Sequence, residues 1–208
     1  MFTGLVQGVG RIVEVEHGAG SSNDVGVSLT VDGRDVPGFK VSVGDSVAIA
    51  GACMTAIRVD GQVFSVDTSK ESLACTTGLD RPGEVNLETS LRVGDTLGGH
   101  LLAGHVDGVG EVIAMSPVHD SWELVVRVPS ALAKYFATKG SVAINGVSLT
   151  VNRVGDTASG CEFSVNVIPH TYRVTTLRSL HAGDRVNIEV DLIARYVERV
   201  LSLSPRSA

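Results

Sequence analysis

A thiol and a hydroxyl stand at matching places in this sequence. Cys53 lies in GDSVAIAGACMTAIRV, residues 44–59, and Ser148 lies in KGSVAINGVSLTVNRV, residues 139–154. Aligned without a gap, SVAI meets SVAI, Gly51 meets Gly146, Thr55 meets Thr150, and Arg58–Val59 meets Arg153–Val154. A cysteine in an apolar stretch is ordinarily a small buried hydrophobe. A second nucleophile-sized group at the equivalent place in the other copy favours a chemical role for Cys53 and Ser148. The same parity lifts Thr55 and Thr150.

Other polar groups appear where the copies diverge. AGHVDGVGEVIAMS (103–116) matches TGLVQGVGRIVEVE (3–16), and inside that glycine frame Leu5 becomes His105, which points to a ligand contact. Gly44 becomes Lys139, which reads either as a solvated lysine or as an anion or carbonyl contact beside the Ser148 hairpin. Ala50 becomes Asn145, so that the two copies offer similar pockets with different tasks. Counted from the paired VNLE and VNIE, Ser90 becomes Asp191, either a helix N-cap or a proton-transfer group. His100 reads slightly better as a structural histidine. His100 and His105 are five apart with no cysteine or carboxylate cluster, which argues against a metal site. Gly104, Gly108 and Gly110 lack the spacing of a P-loop or dinucleotide turn and read as strand bends. No cofactor is expected.

Groups placed twice require a module present twice. The 208 residues divide into two repeats of about 95 residues, each large enough for a small core. The boundaries fall at 1–97 and 98–190, with a distinct segment at 191–208. In the first repeat, strands are expected over residues 5–16 with bends at Gly8 and Gly10, then at 25–31, 41–49, 53–59, 63–67, 73–77 and 85–88. Residues 17–24 read as a turn, 32–39 as a loop, and Asp60–Gly61 as a hairpin turn. The second repeat follows the same order and adds a short helix from Ser130, as cap, to about Ala137. About six short strands per repeat with glycine-marked turns favour a small closed barrel, an all-β fold. The last segment differs. In DLIARYVERVLSL, Leu192, Ile193, Tyr196, Val197, Val200 and Leu201 recur at helical spacing, opening at Asp191. That amphipathic helix packs either on its own chain or against another subunit.

Composition narrows the partners. Hydrophobic residues make up 43% and charged residues 19%, so the chain is globular. The net charge is -6, with 7 basic and 13 acidic groups in residues 1–97 and 10 of each in 98–208. Neither half is a basic surface, which disfavours nucleic acid. Cys53, Cys75 and Cys161 are widely spaced, which suits a reducing cytoplasm better than a disulfide framework. No stretch reads as a signal peptide or membrane span.

MFTG, GDSVAIAGACMT, LGGHLLAGHVDG, KGSVAINGVSLTV, IPHT and GDRVNIEVDLIARYVERVL, in this order, resemble the riboflavin synthase family of the alpha-chain type. The resemblance runs from Met1 to about Leu201. It implies two six-stranded Greek-key barrels, each binding one 6,7-dimethyl-8-ribityllumazine, and a homotrimer joined through the C-terminal helices at 191–208. It implies a cofactor-free, four-carbon transfer between two lumazines, giving riboflavin and 5-amino-6-ribitylamino-uracil. The working site would lie between the first barrel of one subunit and the second barrel of the next. An association with lumazine synthase also belongs to what the resemblance implies.

Carried over by motif, the first barrel's ligand contacts would be Gly4, Leu5, Val6, Cys53, Met54, Thr55, Asp67, Thr68, Ser69, Lys70, Glu71 and Ser72. Those of the second would be Gly104, His105, Val106, Lys139, Ser148, Leu149, Thr150, Asn166, Val167, Ile168, Pro169, His170 and Thr171. Phe2, Ser46, Cys53, His105, Ser148 and Asp191 resemble the residues implicated in turnover. Ala52, Met54, Lys70, Ser72 and Ala103 depart from the family pattern. The alternative is a non-catalytic lumazine or flavin carrier of the same fold, against which His105, Lys139, Ser148, Thr150 and Asp191 speak.

Overall fold

The computed structural model describes residues 1–17 and 25–203. The first barrel comprises β1 (Gly8–His17), β2 (Val25–Asp32), β3 (Ser46–Ile49), β4 (Ala52–Asp60), β5 (Val63–Ser69) and β6 (Gly83–Thr89). The second comprises β7 (Gly108–Val118), β8 (Ser121–Val128), β9 (Ser141–Ile144), β10 (Val147–Thr157), β11 (Gly160–Val167) and β12 (Arg185–Val190). Every pairing is antiparallel, and the first barrel closes in the order β1-β2-β5-β4-β3-β6. Its last four strands lie side by side as β6-β3-β4-β5, the Greek-key arrangement. The second barrel repeats that order strand for strand.

Alternation sets which face is buried. Val27, Leu29 and Val31 of β2 are buried, as are Ala52, Met54 and Ala56 of β4 and Val147, Leu149 and Val151 of β10. Each barrel thus holds its own apolar core. Cys53, Thr55, Ser148 and Thr150 fall on the outer faces by the same alternation, and none of them is a core residue.

The structure corrects several sequence expectations. Residues 73–77 are not a strand. Lys70–Cys75 form helix α1, because the Ser69 hydroxyl accepts the Ser72 N–H at 3.0 Å and caps it. Its counterpart, α2, is Pro169–Val174. The expected strand at 5–16 begins only at Gly8, and residues 1–7 form an arm. The strand at 41–49 begins at Ser46, because Gly44 takes a left-handed φ of 92° and turns the chain. The bulge in β1 lies between Ile12 and Glu14 rather than at a glycine. Gly10 is small because a Cβ there would sit 2.4 Å from Leu87 Cδ1. The helix at Ser130–Tyr135 is a 3₁₀ helix following Pro129, without a side-chain cap. The expected turn at 17–24 lies outside the described residues except His17, which ends β1.

The barrels meet about a pseudo-twofold axis. Asn86 Nδ2 donates to the Asn145 carbonyl at 2.9 Å, and Asn187 Nδ2 donates to the Ala50 carbonyl at 3.0 Å. Gly51 and Gly146 face each other so closely that a Cβ on Gly51 would lie 2.7 Å from Gly146 N. The Ala50-to-Asn145 divergence sits at this seam, where Asn145 Oδ1 accepts the Asn187 N–H at 2.8 Å. That divergence serves packing, not a pocket.

Helix α3 (Leu192–Leu203) begins as expected, with the Ile193 N–H donated to Asp191 Oδ1 at 2.9 Å. It is tied to the second barrel by Arg195, which grips Asp107 at 2.8 and 2.9 Å. It buries no residue in this chain, and Ile193, Tyr196 and Leu203 are about two-thirds exposed. Among the described residues no helix is long and apolar enough to cross a membrane.

Candidate functional site

The two nucleophile-sized groups lie on equivalent hairpins. In β3–β4, Ser46 pairs with Thr55 and Ala48 with Cys53, so that these four share the outer face. In β9–β10, Ser141 pairs with Thr150 and Ala143 with Ser148. Met54 and Leu149 point the other way, into the cores, and have only backbone to offer a ligand. Phe2, 1% exposed, packs with Leu102, Ala48 and Ala143 against Cys53. It props the site from beneath and touches no solvent.

What covers each hairpin is an arm that crosses over. The arms pair with each other through Phe2 and Leu102, whose N–H groups donate to each other's carbonyls at 2.8 and 3.1 Å. Past that bridge they diverge to opposite barrels. The Cys53 N–H donates to the Gly104 carbonyl at 2.8 Å, and the Ser148 N–H donates to the Gly4 carbonyl at 2.9 Å. Val106 packs on the first core and Val6 on the second. The geometry therefore exchanges the expected grouping. Gly104, His105 and Val106 belong with Cys53, and Gly4, Leu5 and Val6 belong with Ser148.

A cavity of about 210 Å³ at the first hairpin is lined by Ala52, Cys53, Glu71, Ser72, Cys75, Thr76, Gly104, His105 and Val106. Of the stretch 67–72, Glu71 and Ser72 border this space. Thr68 is fully buried with its hydroxyl toward Met54 Sδ, Asp67 is exposed on β5, and Ser69 caps α1 ahead of Lys70. Cys75 is a residue that the sequence reading missed. Once residues 70–75 are a helix, Cys75 lies one turn past Glu71, but a strand assignment hides that spacing.

At the second hairpin, His100 Nδ1 lies 2.6 Å from Ser148 Oγ. Its Nε2 is buried without a partner among the described residues. Burial pushes this imidazole below its ordinary value, with the nearby Asp191 charge pulling weakly the other way. Lowering favours the neutral ring, whose Nδ1 either accepts the Ser148 O–H or donates to Ser148 Oγ according to the tautomer. His100 therefore stands at the second hairpin, in contact with Ser148. Asp191 is the cap of α3, and it reaches His100 only through its charge.

Lys139 is exposed and holds a left-handed φ of 70°, the conformation that Gly44 takes in the first copy. Its N–H donates to the Val151 carbonyl at 2.7 Å, as that of Gly44 does to Ala56 at 2.8 Å. A lysine tolerated where the turn favours glycine is backbone strain kept in place by its surroundings. Asn166, Ile168 and His170 are exposed at the end of β11 and in α2, whereas Val167 is fully buried in the core and Pro169 and Thr171 are half-buried. Among the described residues no three metal-ligating side chains come together.

This doubled, cross-covered arrangement has known relatives. The Lumazine binding domain family matches residues 3–90 and again 103–191. A riboflavin synthase of Photobacterium phosphoreum is 39% identical over 203 residues, covering 97% of this chain and 89% of that protein. A riboflavin synthase of Mycobacterium bovis is 40% identical over 206 residues, covering 97% and 98%. The crystal structure of LumP complexed with riboflavin superposes with a TM-score of 0.75 at 26% identity, covering 91% of this chain and 99% of that one. With two lumazine-binding domains in tandem and full-length relatives at these identities, the chain belongs to the riboflavin synthase family of enzymes.

Proposed function

We propose that the chain converts two molecules of 6,7-dimethyl-8-ribityllumazine into riboflavin and 5-amino-6-ribitylamino-uracil by transfer of a four-carbon unit, without a cofactor. The observation that carries this reading is the 2.6 Å contact between His100 and Ser148 in one copy of a site whose other copy holds Cys53 and His105. The C7 methyl of a lumazine is acidic because its carbanion delocalises into the ring, so that a neutral imidazole suffices as base. The partner lumazine accepts a nucleophile at C7, supplied by Cys53, Ser148 or water. Holding the two rings face to face supplies much of the rest. The exposed apolar face of α3 supports a homotrimer, in which a first barrel of one subunit meets a second barrel of its neighbour. A cytoplasmic location and an association with lumazine synthase go with this reading.

The test is to incubate the pure protein with the lumazine alone and to follow riboflavin. Formation of riboflavin supports the synthase. Tight binding without turnover would instead establish the carrier, the reading that the likeness to LumP favours.

A further inference from the structure

Glu88 and Glu189 occupy equivalent places on β6 and β12, and the proposed reaction uses neither. Both are carboxylates within the protein, 6% and 4% exposed. Such groups are rarely buried without compensating partners. No arginine or lysine among the described residues pairs with either. Their partners are the arms. Glu88 Oε1 accepts the Thr3 N–H and the Thr3 hydroxyl, each at 2.7 Å, and Oε2 accepts the Gly4 N–H at 3.0 Å. Glu189 Oε1 accepts the Ala103 N–H at 2.8 Å, and Oε2 accepts the Gly104 N–H at 3.0 Å.

We propose that Glu88 and Glu189 are positioning residues, each fixing the arm that completes the ligand site of the opposite barrel: Glu88 serves the Ser148 site, and Glu189 serves the Cys53 site. The inference rests on the reading of Cys53 and Ser148 as ligand-facing groups. Each clamp grips the N–H of the same glycine whose carbonyl receives the hairpin's N–H. Carboxylate, arm and nucleophile are therefore linked through a single glycine. The fit has no slack. A Cβ on Gly4 would lie 2.5 Å from Ser148 Cβ, and one on Gly104 would lie 2.6 Å from Cys53 Cβ. Both glycines also hold left-handed φ values, 75° and 77°. An arm released from its carboxylate changes the wall of the other barrel's site while its own barrel's ladder stays closed.

The three cysteines make this measurable in the full chain. Cys53 lies under the Glu189 arm, and Cys161 is fully buried in the second core, where its alkylation reports unfolding. Alkylation by iodoacetamide is read at each cysteine by peptide mass spectrometry. Glu189→Gln is expected to speed Cys53 alkylation about tenfold, the factor carried by one lost hydrogen bond to a charged group, with Cys161 unchanged. Glu189→Asp, which keeps the charge but shortens the reach, should move Cys53 in the same direction. Glu88→Gln should raise Cys53 alkylation less than Glu189→Gln does, since its arm covers the other hairpin and reaches Cys53 only through Phe2. An unchanged Cys53 in both Glu189 variants overturns the proposal. So does a joint rise at Cys53 and Cys161 in both, because Glu189 would then hold the barrel and not the arm, and so does an equal rise in Glu88→Gln. The functional reading fails separately, if 6,7-dimethyl-8-ribityllumazine does not protect Cys53 in the unaltered chain.

Discussion

His100→Ala is expected to lower riboflavin formation by about 10²–10⁴-fold, the range contributed by a positioned general base. That corresponds to about 2.7–5.5 kcal/mol of activation free energy. The basis is the 2.6 Å contact with Ser148 and the burial that keeps the ring neutral. The effect on folding is smaller. The substitution leaves the half-buried Ser148 hydroxyl without its ring partner but also removes a buried Nε2 that has none. The net change is about 1–3 kcal/mol at most. A domain with about 5–15 kcal/mol of stability stays folded after such a loss, so the activity loss cannot be unfolding.

The assay is steady-state riboflavin formation run beside urea unfolding, both across pH. The sign of the pH effect follows from the direction of the shift. In the folded chain the imidazole sits below its ordinary value of 6.5, so on acidification the unfolded chain takes up the proton first. Stability contributed by the neutral ring is complete above 6.5 and is lost as pH falls toward the folded value. His100→Ala should lack that loss. A variant within about threefold of the parent rate, or one whose activity loss tracks its unfolded fraction, would refute the assignment of His100 as base.

Turnover should yield riboflavin and the uracil product in equal amounts from two equivalents of lumazine in the presence of EDTA; a requirement for nicotinamide, flavin or a divalent ion would sink the proposed reaction. Ile193→Asp combined with Tyr196→Asp should shift sedimentation from trimer to monomer, and an unshifted trimer would mean that the barrels hold the assembly. Burial raises the carboxyls of Glu88 and Glu189 against the hydrogen bonds from their arms. Their contribution is full below 4.5 and is lost as pH rises through the folded values, so a double Gln variant should show a flatter rise and fall of the urea midpoint above pH 4.5. Cys53→Ala and Ser148→Ala, each impaired alone, should regain part of the activity on co-refolding, because mixed trimers hold some unaltered barrel pairs; no gain despite proven subunit exchange would place the whole site within one chain.

The duplication and the barrels were legible because the repeat is long and the alternation regular. Val27, Leu29 and Val31 announce a half-buried strand without any tertiary knowledge, and all three are buried. The terminal helix was legible for the same reason, with Asp191 as its cap. Helix α1 was not, because six residues give too little periodicity to separate helix from strand. Cys75 was lost with it. The crossing of the arms was invisible for a different cause. Register within a repeat is local, but which barrel an arm covers is decided by the Phe2–Leu102 bridge, a contact 100 residues apart in sequence. Pairing by module therefore put His105 with Ser148, when it lies at the cavity of Cys53.

That crossing also accounts for the way in which the two copies differ. A thiol is appreciably nucleophilic near neutral pH without a dedicated base, whereas a hydroxyl needs one. The copy with the hydroxyl is the one that has an imidazole at hydrogen-bond distance, and that imidazole, His100, comes from the start of the second repeat, one residue ahead of the position that matches Met1. The copy with the thiol has His105 in the wall of its cavity, delivered by the second module's arm. Over Ser148 the corresponding arm position is Leu5, which titrates nothing. Two identical copies could only have made two identical sites. The proposed reaction asks one lumazine to give up a proton and a four-carbon unit and the other, chemically the same molecule, to receive them. Under the proposed reaction only the protein can break that symmetry, and the two copies differ outside the cores, at Cys53 and Ser148, at the arms that cover them and at the one histidine that has no counterpart in the aligned repeat.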